Sequence, residues 1–183
     1  MSFTGFNDFN GRYVDLLKSW DILDGGLNPV ARTNVAPESD PPTEPSLYSF
    51  AHTVLAPPGP VSFVVAGAGE LPEGSLDPHA VVRRGETSRE ALADKARYVL
   101  ALMAGRLRGL GAKWKDVTAT NIYTVHDMSA LLTAEILPRI GRAADHGVCW
   151  HYSRPPIVSI EYEMDLRGCA REAVIHGRSL RGT

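Results

Sequence analysis

Three carboxylates, Glu161, Glu163 and Asp165, recur at every second position of the segment Ile157–Leu166. On a strand they share one face at about 7 Å spacing, where their repulsion must be relieved by water, by cations or by a site. Glu161 lies deepest in that segment and is the candidate for a pocket carboxylate of raised pKa, fit for general acid–base work. Glu163 and Asp165 read equally well as a solvated outer face.

A second concentration of reactive types is His146-Gly147-Val148-Cys149-Trp150-His151-Tyr152-Ser153-Arg154. On a strand Cys149 and His151 point to the same face. With Glu161 on an adjacent strand, a Cys-His-Glu metal site is geometrically within reach. The spacing matches no standard zinc pattern, and no metal is expected. Cys149-based nucleophilic catalysis needs a base and an oxyanion hole, and the sequence specifies neither. His126-Asp127 follows a strand candidate, where such a pair usually caps the next helix. Gly67-Ala68-Gly69 lacks the spacing of a phosphate-binding loop.

Leu47–Ala56 and Val61–Ala66 are strand candidates joined by Pro57-Pro58-Gly59-Pro60. Thr87-Ser88-Arg89-Glu90 matches a capping box. It opens a helix whose apolar stripe is Leu92, Ala96, Val99, Met103, Leu107 and Leu110, stopped near Gly109 and Gly111. Val117–Val125 is β-branched and reads as a strand. A second helix runs through Leu132, Ile136 and Ile140, with Pro138 an irregularity. Val148–Tyr152 is a short strand, and Ile157–Leu166 the last, with Val158, Ile160, Tyr162, Met164 and Leu166 on its apolar face. This interrupted order implies an α+β fold, a mixed sheet with helices on one face.

Eight of the 13 prolines fall between Pro29 and Pro60, a stretch that should be extended and irregular. Before it, residues 13–20 form about two turns of helix, stopped by Asp24-Gly25-Gly26. The chain therefore divides into an extension over 1–46, a body over 47–170 and a tail over 171–183, the extension lying on the body or reaching a neighbouring subunit. A formal charge of −2 excludes a nucleic-acid-coating surface, and no apolar run is long enough for a membrane span. Two cysteines make no disulfide framework, so a soluble cytoplasmic protein is expected.

From about Leu47 to Leu166 the chain resembles the RidA (YjgF) family of small trimeric proteins, whose enzymatic members hydrolyse enamines and imines. The resemblance rests on an ordered series: Leu47-Tyr48-Ser49-Phe50-Ala51, Val64-Val65-Ala66-Gly67 running to Leu71-Pro72, Gly109-Leu110-Gly111-Ala112, Trp114-Lys115-Asp116-Val117, Thr124-Val125-His126-Asp127-Met128 and Ile160-Glu161-Tyr162-Glu163. It implies a sheet packed by two helices and a homotrimer with a barrel-like core and pockets between subunits. Tyr48, Cys149 and Glu161 fall on the tyrosine, cysteine and glutamate positions lining that pocket. The family's substrate-gripping arginine corresponds to Gly147, its serine to Ala66 beside Gly67, and its asparagine to Glu135.

The resemblance thus implies hydrolytic deamination of an enamine or imine on an altered substrate, such as an aminomuconate-like compound. No cofactor is needed, because the substrate carries its own electrophilic carbon. Glu161 activates water, backbone groups around Gly147 and Cys149 orient the substrate, and the Tyr48 hydroxyl closes the pocket. Arg154, Arg139 or Arg142 could supply a replacement cation, as could His146 or His151 when protonated. A second reading stays open: a non-catalytic protein that binds a small metabolite or a protein partner in the same cleft.

Overall fold

A computed structural model describes residues 1–173 except 56, 61 and 76. The tail from residue 174 onward lies outside the described residues, as do Ala56 and Val61 at the inner ends of the first two strand candidates. The sheet has five strands: β1 Ala36–Pro37, β2 Phe63–Gly69, β3 Ala119–Thr124, β4 Cys149–Arg154 and β5 Glu163–Gly168. Their order is β1-β4-β3-β5-β2. Strands β3 and β4 run parallel, and β3–β5, β2–β5 and β1–β4 are antiparallel.

Helix α2, Arg89–Gly109, and the helical segment over 129–140, here α3, form the packing layer against one face. The expected stripe holds for Leu92, Ala96, Val99, Met103 and Leu107, all buried, while Leu110 becomes the exposed C-cap. They meet Ile122 of β3 and Met164 and Leu166 of β5, all inaccessible to solvent. Each such side chain contributes about 1.5–3 kcal/mol relative to exposure, so this seam dominates the fold's stability. The N-cap of α2 is Ser88, whose hydroxyl accepts from the Ala91 amide, rather than the expected Thr87–Glu90 box.

In α3 the turn Leu132–Ile136 widens to π geometry immediately before Pro138. Proline has no amide to close an α-helical turn, so the local rewinding is the irregularity its position demands.

Three expectations are corrected. The strand expected over Leu47–Ala56 is absent from the described residues there, which are unpaired, with Leu47, Phe50 and Leu55 standing free. The helix expected over 13–20 is longer: α1 spans Phe3–Ser19, capped by Ser2 and ended where Asp21 takes a positive φ. Phe3 and Phe6 near its start pack beside Val81, Ile157 and Ile160, which the 13–20 reading could not include. The last strand starts at Glu163, not Ile157. Ser159 adopts φ 79°, Ile160 turns back onto the Ile157 carbonyl, and Val158 is exposed. The apolar face of that strand is otherwise as expected, with Tyr162, Met164 and Leu166 buried.

The extension is laid on the body. The Met1 ammonium donates to the Pro156 carbonyl at 2.7 Å, and the Gly67 amide donates to the Arg32 carbonyl at 3.1 Å. Residues 36–37 pair with β4 at the sheet edge, where the missing donor of Pro37 does least harm.

Candidate active site

Glu161 sits in the three-residue gap between the Ser159 turn and β5, with its main chain gripped on both sides. Its amide donates to Glu70 Oε1 at 2.7 Å, and its carbonyl accepts from Thr124 Oγ1 at 2.7 Å. The Tyr162 amide donates to the other Glu70 oxygen at 3.1 Å. Glu70 is wholly buried, and so is its ion-pair partner Lys95, whose Nζ lies 3.0 Å from Oε1 and 2.9 Å from the Val82 carbonyl. Burial pushes Glu70 above the ordinary carboxylate range, while Lys95 and the amides of Glu161 and of Glu70 itself oppose that shift.

The Glu161 side chain meets His126, with Nε2 at 2.9 Å from Oε2. At that distance a proton can pass between imidazole and carboxylate, the geometry that general acid–base work requires. His126 also lines a cavity of about 640 Å³ with Thr87, Arg89, Leu92, Asp127, Ser129, Ala130 and Leu131. Sequence reading gave His126 a capping role and missed this contact, because the two residues are 35 positions apart and only the fold joins them. Met128 takes the N-cap position of α3, and Asp127 just before it accepts from the amide and hydroxyl of Ser129 at 2.9 and 2.7 Å.

On the opposite sheet face, Glu163 is the buried carboxyl, where Glu161 had been the candidate. Burial pushes it up to about 8, with Asp165 and Glu70 adding to the rise and Arg106 and Arg32 opposing it. Beside it Asp165 accepts from Asn121 Nδ2 at 2.7 Å and from the Tyr123 hydroxyl at 2.9 Å. Neither carboxylate is the solvated outer face read as the alternative. Burial and Asp165 together raise the Tyr123 pKa, keeping its hydroxyl a donor.

The remaining sequence candidates fall in several places. His151 stacks on Tyr123 at 4.8 Å and contacts Asn121 Oδ1 at 3.3 Å, and burial lowers its pKa. Cys149 is an exposed free thiol at the start of β4, on the same strand as His151. Strand β3 separates β4 from β5, so Glu161 is not on a strand adjacent to Cys149, as the metal geometry would require. Among the described residues no group of His, Cys, Asp or Glu is arranged to hold a metal. Tyr48 is 96% exposed, and no hydrogen bond ties it to Glu161 or Cys149. Gly147 has φ 80° with open space around it.

Three more candidates are already engaged. Arg154 forms a bidentate pair with Glu38 at 2.7 and 3.0 Å. Glu135 is clasped by Arg97 and Arg139, and the Arg97 guanidinium holds its carboxyl below the ordinary range. Gly67 is required by packing: a Cβ there would overlap Glu163 Oε1 and come within 2.8 Å of Thr33 Cγ2.

A family model described as 2-aminomuconate deaminase CnbZ matches residues 1–173, the extension included. The chain belongs to the CnbZ family. It is 44% identical over 175 residues to a 2-amino-5-chloromuconate deaminase of Comamonas testosteroni, covering 93% of this chain and 68% of that one. The resemblance to the RidA (YjgF) family drawn from sequence is therefore borne out. A solved structure from that family, the protein of unknown function YyfB of Yersinia pestis, aligns with a TM-score of 0.43 and 21% identity, over 73% of this chain and 95% of its own.

Proposed function

We propose that this CnbZ-family chain is a deaminase releasing ammonia from a 2-aminomuconate-like acid, an unsaturated dicarboxylate with an amino group on an alkene carbon. The observation that carries this reading is the 2.9 Å contact between Glu161 and His126 beside a cavity. Such an enamine first gains a proton on its carbon chain and becomes an imine. Water then adds to the C=N carbon, giving up a proton, and the C–N bond breaks as nitrogen leaves as ammonia. The balance is enamine plus water to oxo acid plus ammonia, with no change of oxidation state and no cofactor. Glu161 takes the proton from water, and His126 holds its carboxylate and returns a proton to the chain or the departing nitrogen.

We read the assembly as a homotrimer with the cleft completed by a neighbouring copy, which would bring Tyr48 and the backbone around Gly147 and Cys149 to the substrate. The uncovered Tyr48, Phe50, Trp150 and Tyr152 support it, since a partner surface would take them out of water. The free thiols of Cys149 and Cys169 suit a reducing cytoplasm. No helix among the described residues is long and apolar enough to cross a membrane.

The deciding experiment is ammonia release from freshly generated 2-aminomuconate by the purified protein. Turnover that disappears in Glu161→Gln supports the reading. No release, together with a melting-temperature rise on adding an unreactive muconate, would favour the binding-protein alternative.

A further inference from the structure

A substrate with two carboxylates needs cations, and the position of the family's anchoring arginine is Gly147. The three arginines proposed from sequence as replacements are each engaged: Arg154 by Glu38, Arg139 by Glu135, and Arg142 by Asp145 at 3.2 Å. Lys95 is sealed against Glu70, and Arg97 is shared between Asp94 and Glu135. One arginine lines the cavity that His126 opens onto, and that residue is Arg89. Among the described residues its guanidinium makes no ion pair within 4.0 Å and no hydrogen bond. It also lines the adjoining groove of about 390 Å³, sharing Ala130 and Leu131 with the first, so it stands where the two spaces meet.

We infer that Arg89 is the carboxylate anchor of this site, gripping a substrate carboxylate while the diene lies against Leu92, Ala130 and Leu131 and the amino carbon faces the His126–Glu161 pair. The inference rests on the deaminase reading for its substrate and on the cavity for its residues. A planar guanidinium matches a carboxylate with two parallel hydrogen bonds, and the carboxylate that feels Arg89 across the cavity, Asp127, makes no hydrogen bond to it that a ligand must first break. Asp127 also lines the cavity; its carboxylate is held below the ordinary range chiefly by the amide and hydroxyl of Ser129, with Arg89 adding to that from a distance. The apolar wall suits four unsaturated carbons between two charged ends. Arg89 therefore selects anionic over neutral enamines, the role that Gly147 cannot fill.

Calorimetric titration with trans,trans-muconate, which carries both carboxylates and no reactive amino group, tests this without turnover. Arg89→Gln should bind it about tenfold more weakly, and Arg89→Lys should fall between, keeping the charge but losing the fork. Arg142→Gln, which removes an equal charge from an exposed pair, should bind as the parent protein does. Unaltered affinity in Arg89→Gln, or an equal loss in Arg142→Gln, overturns the inference. If Arg89→Gln weakens muconate binding while the parent protein releases no ammonia from 2-aminomuconate, the anchor stands and the deaminase reading falls.

Discussion

Glu70 Oε1 lies 2.7 Å from the main-chain nitrogen of Glu161, so one buried carboxylate fixes where the other can stand. The contact matters because the Ser159 turn has removed Glu161 and Tyr162 from the strand ladder, and their amides need another acceptor. Glu70 supplies it twice, and Lys95 pairs with Glu70 at 3.0 Å where both side chains are wholly buried. Removing one member of a buried pair strands the other, so Glu70→Ala should lower unfolding free energy by about 3–5 kcal/mol. The double change Glu70→Gln/Lys95→Met retains an acceptor for the amides without a buried charge and should recover much of that loss. Urea unfolding of the two variants tests the comparison.

Glu161→Gln keeps the shape of the side chain and removes the base. Ammonia release should fall by about 10²- to 10⁴-fold in kcat, the range typical of general acid–base groups, with the melting temperature little changed. His126→Asn should lower kcat less, since it removes the partner and leaves the carboxylate. Steady-state kinetics on freshly generated 2-aminomuconate would show the order.

Glu163 gives the fold a pH dependence. Its folded pKa is raised from 4.5 to about 8, so the native state binds more protons than the unfolded chain between those values. Its contribution is therefore fully present at low pH and is lost as pH rises through about 8. Thermal melts from pH 5 to 9 should show that decline, and Glu163→Gln should flatten it. Arg32 and Arg106 oppose the shift, so Arg32→Gln should move the decline to higher pH.

Gly67→Ala separates packing from substrate contact at a position first read as substrate-binding. The added methyl meets a buried carboxyl and Thr33, and overpacking of this kind costs about 1–3 kcal/mol. A drop in stability with unchanged KM is expected, and stability equal to the parent would remove the packing explanation.

Glu135→Gln should likewise destabilise the join between α2 and α3 without altering KM, because Arg97 and Arg139 already occupy the carboxylate. A large rise in KM at unchanged stability would return Glu135 to the substrate site.

The sequence by itself determined the α+β class, the apolar stripe of α2, the buried face of Tyr162, Met164 and Leu166, the break before Pro138 and the family. Each is written in local periodicity, in backbone chemistry or in an ordered run of short motifs. It also singled out Glu161, because three carboxylates at alternate positions are anomalous wherever they fall. The tertiary structure decided the rest. Alternation cannot say which of three carboxylates is buried, and it is Glu163 because the extension and β2 cover that face. The Glu161–His126 contact, the grip of Glu70 and the engagement of Arg139 and Arg154 join residues far apart in the chain. Hydrogen bonds and ion pairs act over a few ångströms, and only folding brings such partners within that distance.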